Sequence, residues 1–363
     1  MENITYKKNI SLDCMKFQYG GGMERYVVEL VNGFHQRAIK PTIFATKFNE
    51  ELAEYQFINP IKVNLSFVPK PLRNLFLSYL FNRKKQQNNL SMTTVYTLSD
   101  IVICGGNHLG YLEAMRKDTS KQASKQASLT DKLKIANEQK SLTNSKLVIA
   151  HSKMMANELV KYYNVDNNKV SVIYPPVDIH KFTLPESNNK RQTLRRNFGF
   201  SDEEIIYLFP STGHRRKGFD ILKQYFEKSD LPIKLVVAGT PVKESKNIKS
   251  LGYCKNMQEL YQAADYTVMA SIYEPFGLVG IESILSGTPI IFSENMGCLE
   301  VLKNDFGYTF SRENINTLDH AINESFKKAQ AAEHRIDNPF DCINYDPSLL
   351  SHIEKLLENI SLL

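Results

Sequence analysis

Short β-type runs alternate with helical stretches along this chain, break off once, and then start again. No other feature restricts its fold as much. Asn9–Asp13, Pro41–Thr46, Lys62–Val68, Ile101–Gly105, Leu147–His151 and Val170–Tyr174 read as strands. Glu24–Arg37 is helical in period, with Tyr26, Val27, Leu30, Val31 and Phe34 on one face. Such alternation marks a parallel sheet wrapped by helices. At Tyr174-Pro-Pro-Val-Asp178 two prolines stiffen the chain and disfavour helix. The pattern then restarts, with strands at Ile205–Pro210, Ile233–Gly239, Tyr266–Ala270 and Ile290–Ser293 and helices at Asp220–Glu227 and Met257–Ala264. The expectation is an α/β protein of two Rossmann-like doubly wound domains, 1–177 and 178–342, facing across a cleft at the C-terminal ends of their strands. Residues 343–363 hold an amphipathic helix, Pro347–Leu363, expected to cross back to the first domain.

Charge divides the chain as well. Residues 1–183 carry 25 Lys+Arg against 15 Asp+Glu, and residues 184–363 carry 20 against 24. A basic N-terminal half points toward a polyanion: a membrane surface, a phosphorylated acceptor or nucleic acid. No helix-turn-helix, zinc-finger or RRM signature is present, so nucleic acid is the least supported. Cys14, Cys104, Cys254, Cys298 and Cys342 form no Cys-x-x-Cys pair, which argues against a zinc site or a disulfide framework and fits a reducing cytoplasm. Met1–Ile10 is too polar for a secretory signal, and no apolar run approaches the length of a membrane span.

The stretch Ser271-Ile-Tyr-Glu-Pro-Phe-Gly-Leu-Val-Gly-Ile-Glu-Ser283 concentrates candidate chemistry. Glu274 precedes Pro275 and a Phe276-Gly277 turn. Glu282 falls in the apolar run Leu278–Leu285, which Gly287 ends as a helix C′ signal. One carboxylate therefore sits in a loop and the other on the helix that follows, beside free N–H groups that form an anion site. A ligand with both hydroxyls and phosphates, such as a nucleotide sugar, suits that pairing. Ser211-Thr-Gly-His-Arg-Arg-Lys-Gly218 places Arg216 and Lys217 at the end of a strand, where a guanidinium fork and a compact ammonium meet phosphate. Tyr19-Gly-Gly-Gly-Met-Glu-Arg25 opens the first helix, and Gly21 and Gly22 allow close backbone approach. It is not a dinucleotide fingerprint, since Arg25 stands at the third glycine position and no acidic residue ends the second strand. His108 follows a strand of the first half. Near a leaving phosphate a histidine donates a hydrogen bond or acts as base, and the alternative is a structural histidine. No Asp-x-Asp occurs, so no metal site and no cofactor beyond a sugar-nucleotide co-substrate are expected.

Lys70–Lys85 carries five Lys/Arg and no acid, with Leu72, Leu75, Phe76, Tyr79 and Leu80 expected on one helical face. Such a helix lies in a membrane interface, or packs on a core with a charged end. Ser120-Lys-Gln-Ala-Ser-Lys-Gln-Ala-Ser128 repeats a four-residue unit and is expected to be a solvated helix or mobile insertion.

With its glycine turn, Arg216-Lys217 pair and Glu274-x7-Glu282 in this order, the chain resembles the retaining glycosyltransferases of the GT-B fold in glycosyltransferase family 4. Within that family it is similar to the lipopolysaccharide core α-1,3-glucosyltransferases, in Arg216-Lys217-Gly218, in Asn107 after a strand and in Ala136-Asn-Glu-Gln139 before the strand at Leu147. The resemblance implies a metal-independent hexosyltransferase using a nucleotide-diphosphate sugar, UDP-linked by preference, and a glycan or lipid-linked acceptor. By the same resemblance Arg216 and Lys217 neutralise the donor diphosphate, Glu282 binds the ribose and Glu274 faces the transferred sugar. Amides of Phe276, Gly277, Leu278 and Val279 bind its hydroxyls and the phosphate, and Gly21 and Gly22 approach the phosphate from the other domain. A cytoplasmic enzyme at the inner face of the membrane, in cell-envelope polysaccharide synthesis, would follow. A nucleotide-sugar epimerase or hydrolase on the same fold, or a non-catalytic nucleotide-sugar-binding subunit, are the alternatives.

Overall fold

A computed structural model describes residues 9–69, 72–84, 89–117 and 127–363. Two compact units part between Pro176 and Val177, and the C-terminal Pro347–Leu363 counts with the first. The sequence placed these boundaries at 177/178 and 342/343.

The strands of the first unit are β1 (Ile10–Asp13), β2 (Lys16–Phe17), β3 (Thr42–Ala45), β4 (Lys47–Phe48), β5 (Asn59–Lys62), β6 (Leu90–Thr93), β7 (Ile101–Cys104), β8 (Leu147–Ala150) and β9 (Val170–Val172). Its helices are α1 (Gly22–Gln36), α2 (Arg73–Lys84), α3 (His108–Lys117), α4 (Leu129–Asn144) and α5 (Lys153–Tyr163). Among the described residues seven strands form one sheet in the order β5-β3-β1-β6-β7-β8-β9, and every pairing is parallel. Strand order therefore reverses between β1 and β6. Buried on both faces, β7 and β8 read as unbroken apolar runs, Ile-Val-Ile-Cys and Leu-Val-Ile-Ala.

One strand of this half is corrected. The strand expected at Lys62–Val68 lies earlier, at Asn59–Lys62, where register with β3 pairs Thr42 with Asn59 and Ala45 with Lys62. Val63, Leu65 and Val68 instead pack on Phe44, Leu77 and Phe81 as a separate core. That core also turns α2. Leu77 and Phe81 are buried against it, while Leu72, Leu75 and Tyr79, three of the five residues expected on one helical face, are exposed. Lys70 and Lys85 lie outside the described residues, as does most of the Lys-Gln-Ala-Ser repeat; its last residue, Ser128, caps α4. β6 escaped the sequence reading because two of its four residues are Ser91 and Thr93, buried nonetheless; the Ser91 hydroxyl donates to Asp100 at 2.6 Å.

The second unit contains α6 (Asn188–Asn197), β10 (Ile205–Ser211), α7 (Phe219–Lys228), β11 (Ile233–Gly239), β12 (Ile248–Gly252), α8 (Met257–Ala263), β13 (Tyr266–Met269), α9 (Leu278–Leu285), β14 (Ile290–Ser293), β15 (Gly307–Phe310) and α10 (Ile315–Gln330). Its parallel sheet runs β12-β11-β10-β13-β14-β15, and here the order reverses between β10 and β13. β12 and β15, the two strands the sequence did not reveal, are the edges, where one-sided pairing tolerates polar residues. Gly287 ends α9 as expected: at φ +76° its N–H bonds Ile284 and the Thr288 N–H bonds Ser283, the paired bonds of a Schellman cap.

The last helix, α11 (Leu349–Ser361), lies on α1 in the first unit. Gly33 makes the approach possible, since a Cβ there would stand 2.2 Å from Ile353. His352 bridges the Tyr26 hydroxyl and the Tyr174 carbonyl at 2.8 Å each.

One buried charge ties the second unit together. Asp265 meets Arg191 at 2.5 Å, Arg195 at 2.8 Å and His334 at 3.2 Å, and accepts from the Ile206 N–H at 2.7 Å. Burial alone would push its carboxyl up, but His334 and the two guanidiniums hold it far below the usual range. Removing one member leaves uncompensated buried charge, which costs about 3–5 kcal/mol. Asp265→Ala is therefore expected to unfold the second unit at a markedly lower urea concentration; an unchanged unfolding midpoint would contradict this account.

Candidate active site

In a doubly wound sheet the loops after the two strands flanking the reversal diverge and leave a crevice at their carboxyl ends. In the second unit those loops are 212–218, after β10, and 270–277, after β13. They carry Arg216, Lys217 and Glu274.

The two loops are joined to each other. Arg216 donates to Glu274 Oε2 at 2.6 Å and to the Tyr273 carbonyl at 2.9 Å, and the Ile272 N–H donates to the Arg216 carbonyl at 2.8 Å. Gly218, at φ +75°, lets the first loop turn into α7 against the second. A Cβ there would sit 1.8 Å from the Ala270 carbonyl oxygen. Lys217 points inward, its ammonium donating to the Pro210 carbonyl at 2.9 Å. Burial lowers its pKa, while Glu274 and Glu282 act to raise it. The pair thus holds positive charge half-buried at the crevice, where low dielectric strengthens its field.

Glu274 is fixed from behind by backbone bonds with Asn295 and Gly297. Gly277, at φ +92°, caps α9 and offers no side chain of its own to the N-terminal amides of Leu278 and Val279. Phe276 is 5 % exposed and is held by the Cys298 N–H at 2.7 Å. Glu282, on the second turn of α9, is 7 % exposed and accepts from the Tyr261 hydroxyl at 3.1 Å. Tyr261 did not figure as a site residue in the sequence, and His214 figured only within the charged stretch Ser211–Gly218. His214 braces the first loop through the Ser211 hydroxyl and the Thr240 carbonyl, 2.9 Å each.

In the first unit Gly21 caps α1 and Gly22 is its first residue. The helix therefore begins two residues earlier than its apolar period indicated, with Glu24 reaching back to the Gly21 N–H at 3.2 Å. Apart from each glycine's own chain neighbours and helix backbone, no atom among the described residues lies within 4 Å of where its Cβ would stand. His108 opens α3 and is held at two points. Its N–H donates to Glu138 at 2.9 Å, and its Nε2 lies 2.7 Å from Asp131 Oδ1. Glu138 also accepts from the Tyr163 hydroxyl. Among the described residues no cluster of three or more His, Cys, Asp or Glu is placed to hold a metal ion.

Residues 20–181 match the family model described as Glycosyltransferase Family 4, and residues 190–339 the model described as Glycosyl transferases group 1. A protein of Burkholderia thailandensis named "probable transglycosylase" is 34% identical over 356 residues, 96% of each chain. The chain belongs to the GT-B glycosyltransferases of the family 4 type. Two solved structures share the fold of this glycosyltransferase. WaaG, described as a glycosyltransferase involved in lipopolysaccharide biosynthesis, superposes with a TM-score of 0.79 at 13% identity, covering 97% of this chain and 99% of its own. Anabaena HepE in complex with UDP and glucose gives 0.77 at 15% identity, covering 98% and 100%.

Burial pushes the Glu138 carboxyl from 4.5 up to about 7, against the lowering effect of its hydrogen bonds from Tyr163 and His108. The folded enzyme thus keeps a proton that the unfolded chain releases between those two values, so stability falls as pH rises from about 4.5 to about 7 and levels off above. The full effect is about 3 kcal/mol. Glu138→Gln cannot ionise, and its urea midpoint is expected to gain on that of the wild type as pH rises through this window. A constant difference across the window would show that Glu138 is not buried as a neutral acid.

Proposed function

We propose that this glycosyltransferase moves a hexose from a UDP-linked sugar to a glycan or lipid-linked acceptor in cell-envelope polysaccharide synthesis, with retention of configuration and without a metal ion. The observation that carries the reading is Arg216 bonded to Glu274 at 2.6 Å beside the inward Lys217, where the strand order reverses. Two cations answer a diphosphate and the carboxylate answers a sugar hydroxyl. The HepE complex with UDP and glucose, on the same fold, supports the choice of donor.

The chemistry follows from where charge develops. As the bond from the anomeric carbon to the diphosphate oxygen breaks, the sugar gains oxocarbenium character and the diphosphate gains charge. Arg216, Lys217 and the amides of Leu278 and Val279 are fixed in advance of that change, so they stabilise it with little reorganisation. The acceptor hydroxyl attacks on the face the diphosphate leaves, and its proton passes to the departing phosphate oxygen. Glu274 and the Phe276–Val279 backbone orient the sugar. Glu282, held by Tyr261, receives the ribose hydroxyls. His108 hydrogen-bonds a substrate hydroxyl.

A panel of UDP-glucose, UDP-galactose, UDP-N-acetylglucosamine and GDP-mannose, each with and without an oligosaccharide or lipid-linked acceptor, tests the reading. Acceptor-dependent release of nucleoside diphosphate is expected, whereas free or epimerised sugar without acceptor would favour the hydrolase or epimerase alternative. Lys217→Ala should lower turnover at least about tenfold, equivalent to about 1.4 kcal/mol of transition-state stabilisation. Glu282→Ala should chiefly raise the donor KM, and Glu274→Ala should chiefly lower kcat. Turnover should survive EDTA. Wild-type kinetics in Lys217→Ala, or complete loss on chelation, would overturn the assignment.

We further propose that an anionic membrane surface holds the first unit. Leu72, Leu75 and Tyr79 of the α2 segment are 42%, 40% and 56% exposed, and the nearby Phe67 is 67% exposed. The basic Arg73, Arg83 and Lys84 lie on the same helix. Each cation near such a surface contributes about 1 kcal/mol, an effect that salt screens. Co-sedimentation with vesicles should rise with anionic lipid, fall in high salt and drop when Arg83, Lys84 and Lys85 become Gln. Binding indifferent to those replacements would place the contact elsewhere, and absence of binding would favour a soluble acceptor.

A further inference from the structure

His108 is gripped more firmly than an ordinary helix-start residue. Asn107 caps α3, accepting from the Gly110 N–H at 2.6 Å while its own amide donates to Glu158 at 2.6 Å. The His108 N–H, which has no partner inside the helix, is taken by Glu138. Glu138 is itself set by Tyr163, and Tyr163 in turn by the Leu109 N–H at 3.1 Å and by Gln139, which donates to its carbonyl at 2.7 Å. Asn137 donates to the Tyr96 carbonyl at 2.9 Å. The Ala136-Asn-Glu-Gln139 stretch thus fixes the backbone around His108, while the imidazole is oriented separately by Asp131.

We infer that Asp131 is a positioning residue that holds His108 in the Nε2-protonated form, leaving Nδ1 as the acceptor for a hydroxyl of the sugar substrate. Asp131 is suited to this because it can only accept. Hydrogen bonds from the Ser128 side chain, then from His108, hold its carboxyl down at about 2. An ionised carboxylate 2.7 Å from Nε2 requires the proton to be on that nitrogen. Nδ1 makes no hydrogen bond among the described residues, and the side chain keeps 14% of its exposure. Asp131 has a second duty: with Ser128 it forms the capping box that starts α4, exchanging bonds of 2.9 Å and 3.2 Å. One carboxylate therefore couples the start of α4 to the ring at the start of α3.

This inference rests on the reading of His108 as a residue that touches substrate, and the test separates the two. Asp131→Asn can turn its amide N–H toward Nε2 and stabilise the opposite tautomer, as in a triad that loses its carboxylate. With the nucleotide sugar that supports turnover in the panel above, Asp131→Asn is expected to lower kcat about tenfold, with donor KM within about twofold of wild type. In a His108→Ala background the same substitution should cost nothing further in kcat, because there is no ring left to orient. A merely structural Asp131 would cost the same in both backgrounds, and that result overturns the inference. Wild-type kcat in Asp131→Asn beside an impaired His108→Ala overturns the inference alone. Wild-type kcat in His108→Ala overturns it together with the role of His108. The nitrogen chemical shifts of the His108 ring, assigned by comparison with His108→Ala, provide a readout independent of activity. Wild type should show the Nε2-protonated ring and Asp131→Asn should lose it; an Nδ1-protonated ring in the wild type refutes the inference.

Discussion

Parallel strands must be joined by crossovers, and this collects every strand's carboxyl end on one edge of the sheet. In the second unit that constraint acts together with the reversal between β10 and β13. The two loops leaving the reversal cannot cover one another, so they are free to hold polar groups between them. The bond between Arg216 and Glu274 closes that gap, and the backbone link from Ile272 to Arg216 keeps the loops in register. Gly218 and Gly277, both at positive φ, turn each loop into its helix at close range. Lys217, the amides of α9 and Glu282 all take their places from this arrangement.

The second unit uses buried charge in two ways. Asp265 is closed on every side by Arg191, Arg195, His334 and a backbone N–H, and is 4 % exposed. Such a group fixes architecture. In the Arg216–Glu274 pair the arginine side chain is 35% exposed and the glutamate 17%, so water and ligand can reach it. The same ion-pair chemistry is thus structural where it is sealed and available for binding where it is open.

In the first unit the equivalent edge carries different material. A glycine turn with open space before it begins α1, and a histidine fixed by Glu138 and Asp131 begins α3. Neither offers the cations of the second unit. Leu72, Leu75 and Tyr79, with Arg83 and Lys84, stay exposed outside the core that Leu77 and Phe81 fill.

A doubly wound α/β chain in two units could be read from local pattern, because hydrophobic period and turn residues are local properties. Strands buried on both faces, such as Ile101–Cys104 and Ile233–Gly239, announce themselves by composition, and Gly287 announces its own cap. Arg216, Lys217, Glu274 and Glu282 were legible as candidates too, since the first three follow strands and Glu282 sits in an apolar helical run. Edge strands were not: β12 and β15 carry mixed residues, and β5 takes its register from β3 and not from its own alternation. Nor could any local pattern show that α2 turns Leu77 and Phe81 inward, because the partner surface comes from Phe44 and residues 63–68. The pairing of His108 with Asp131, twenty-three residues on, and the seating of Glu138 on the same loop were decided by tertiary structure alone. A side chain's protonation and direction depend on what lies within hydrogen-bond reach, and only packing sets that distance.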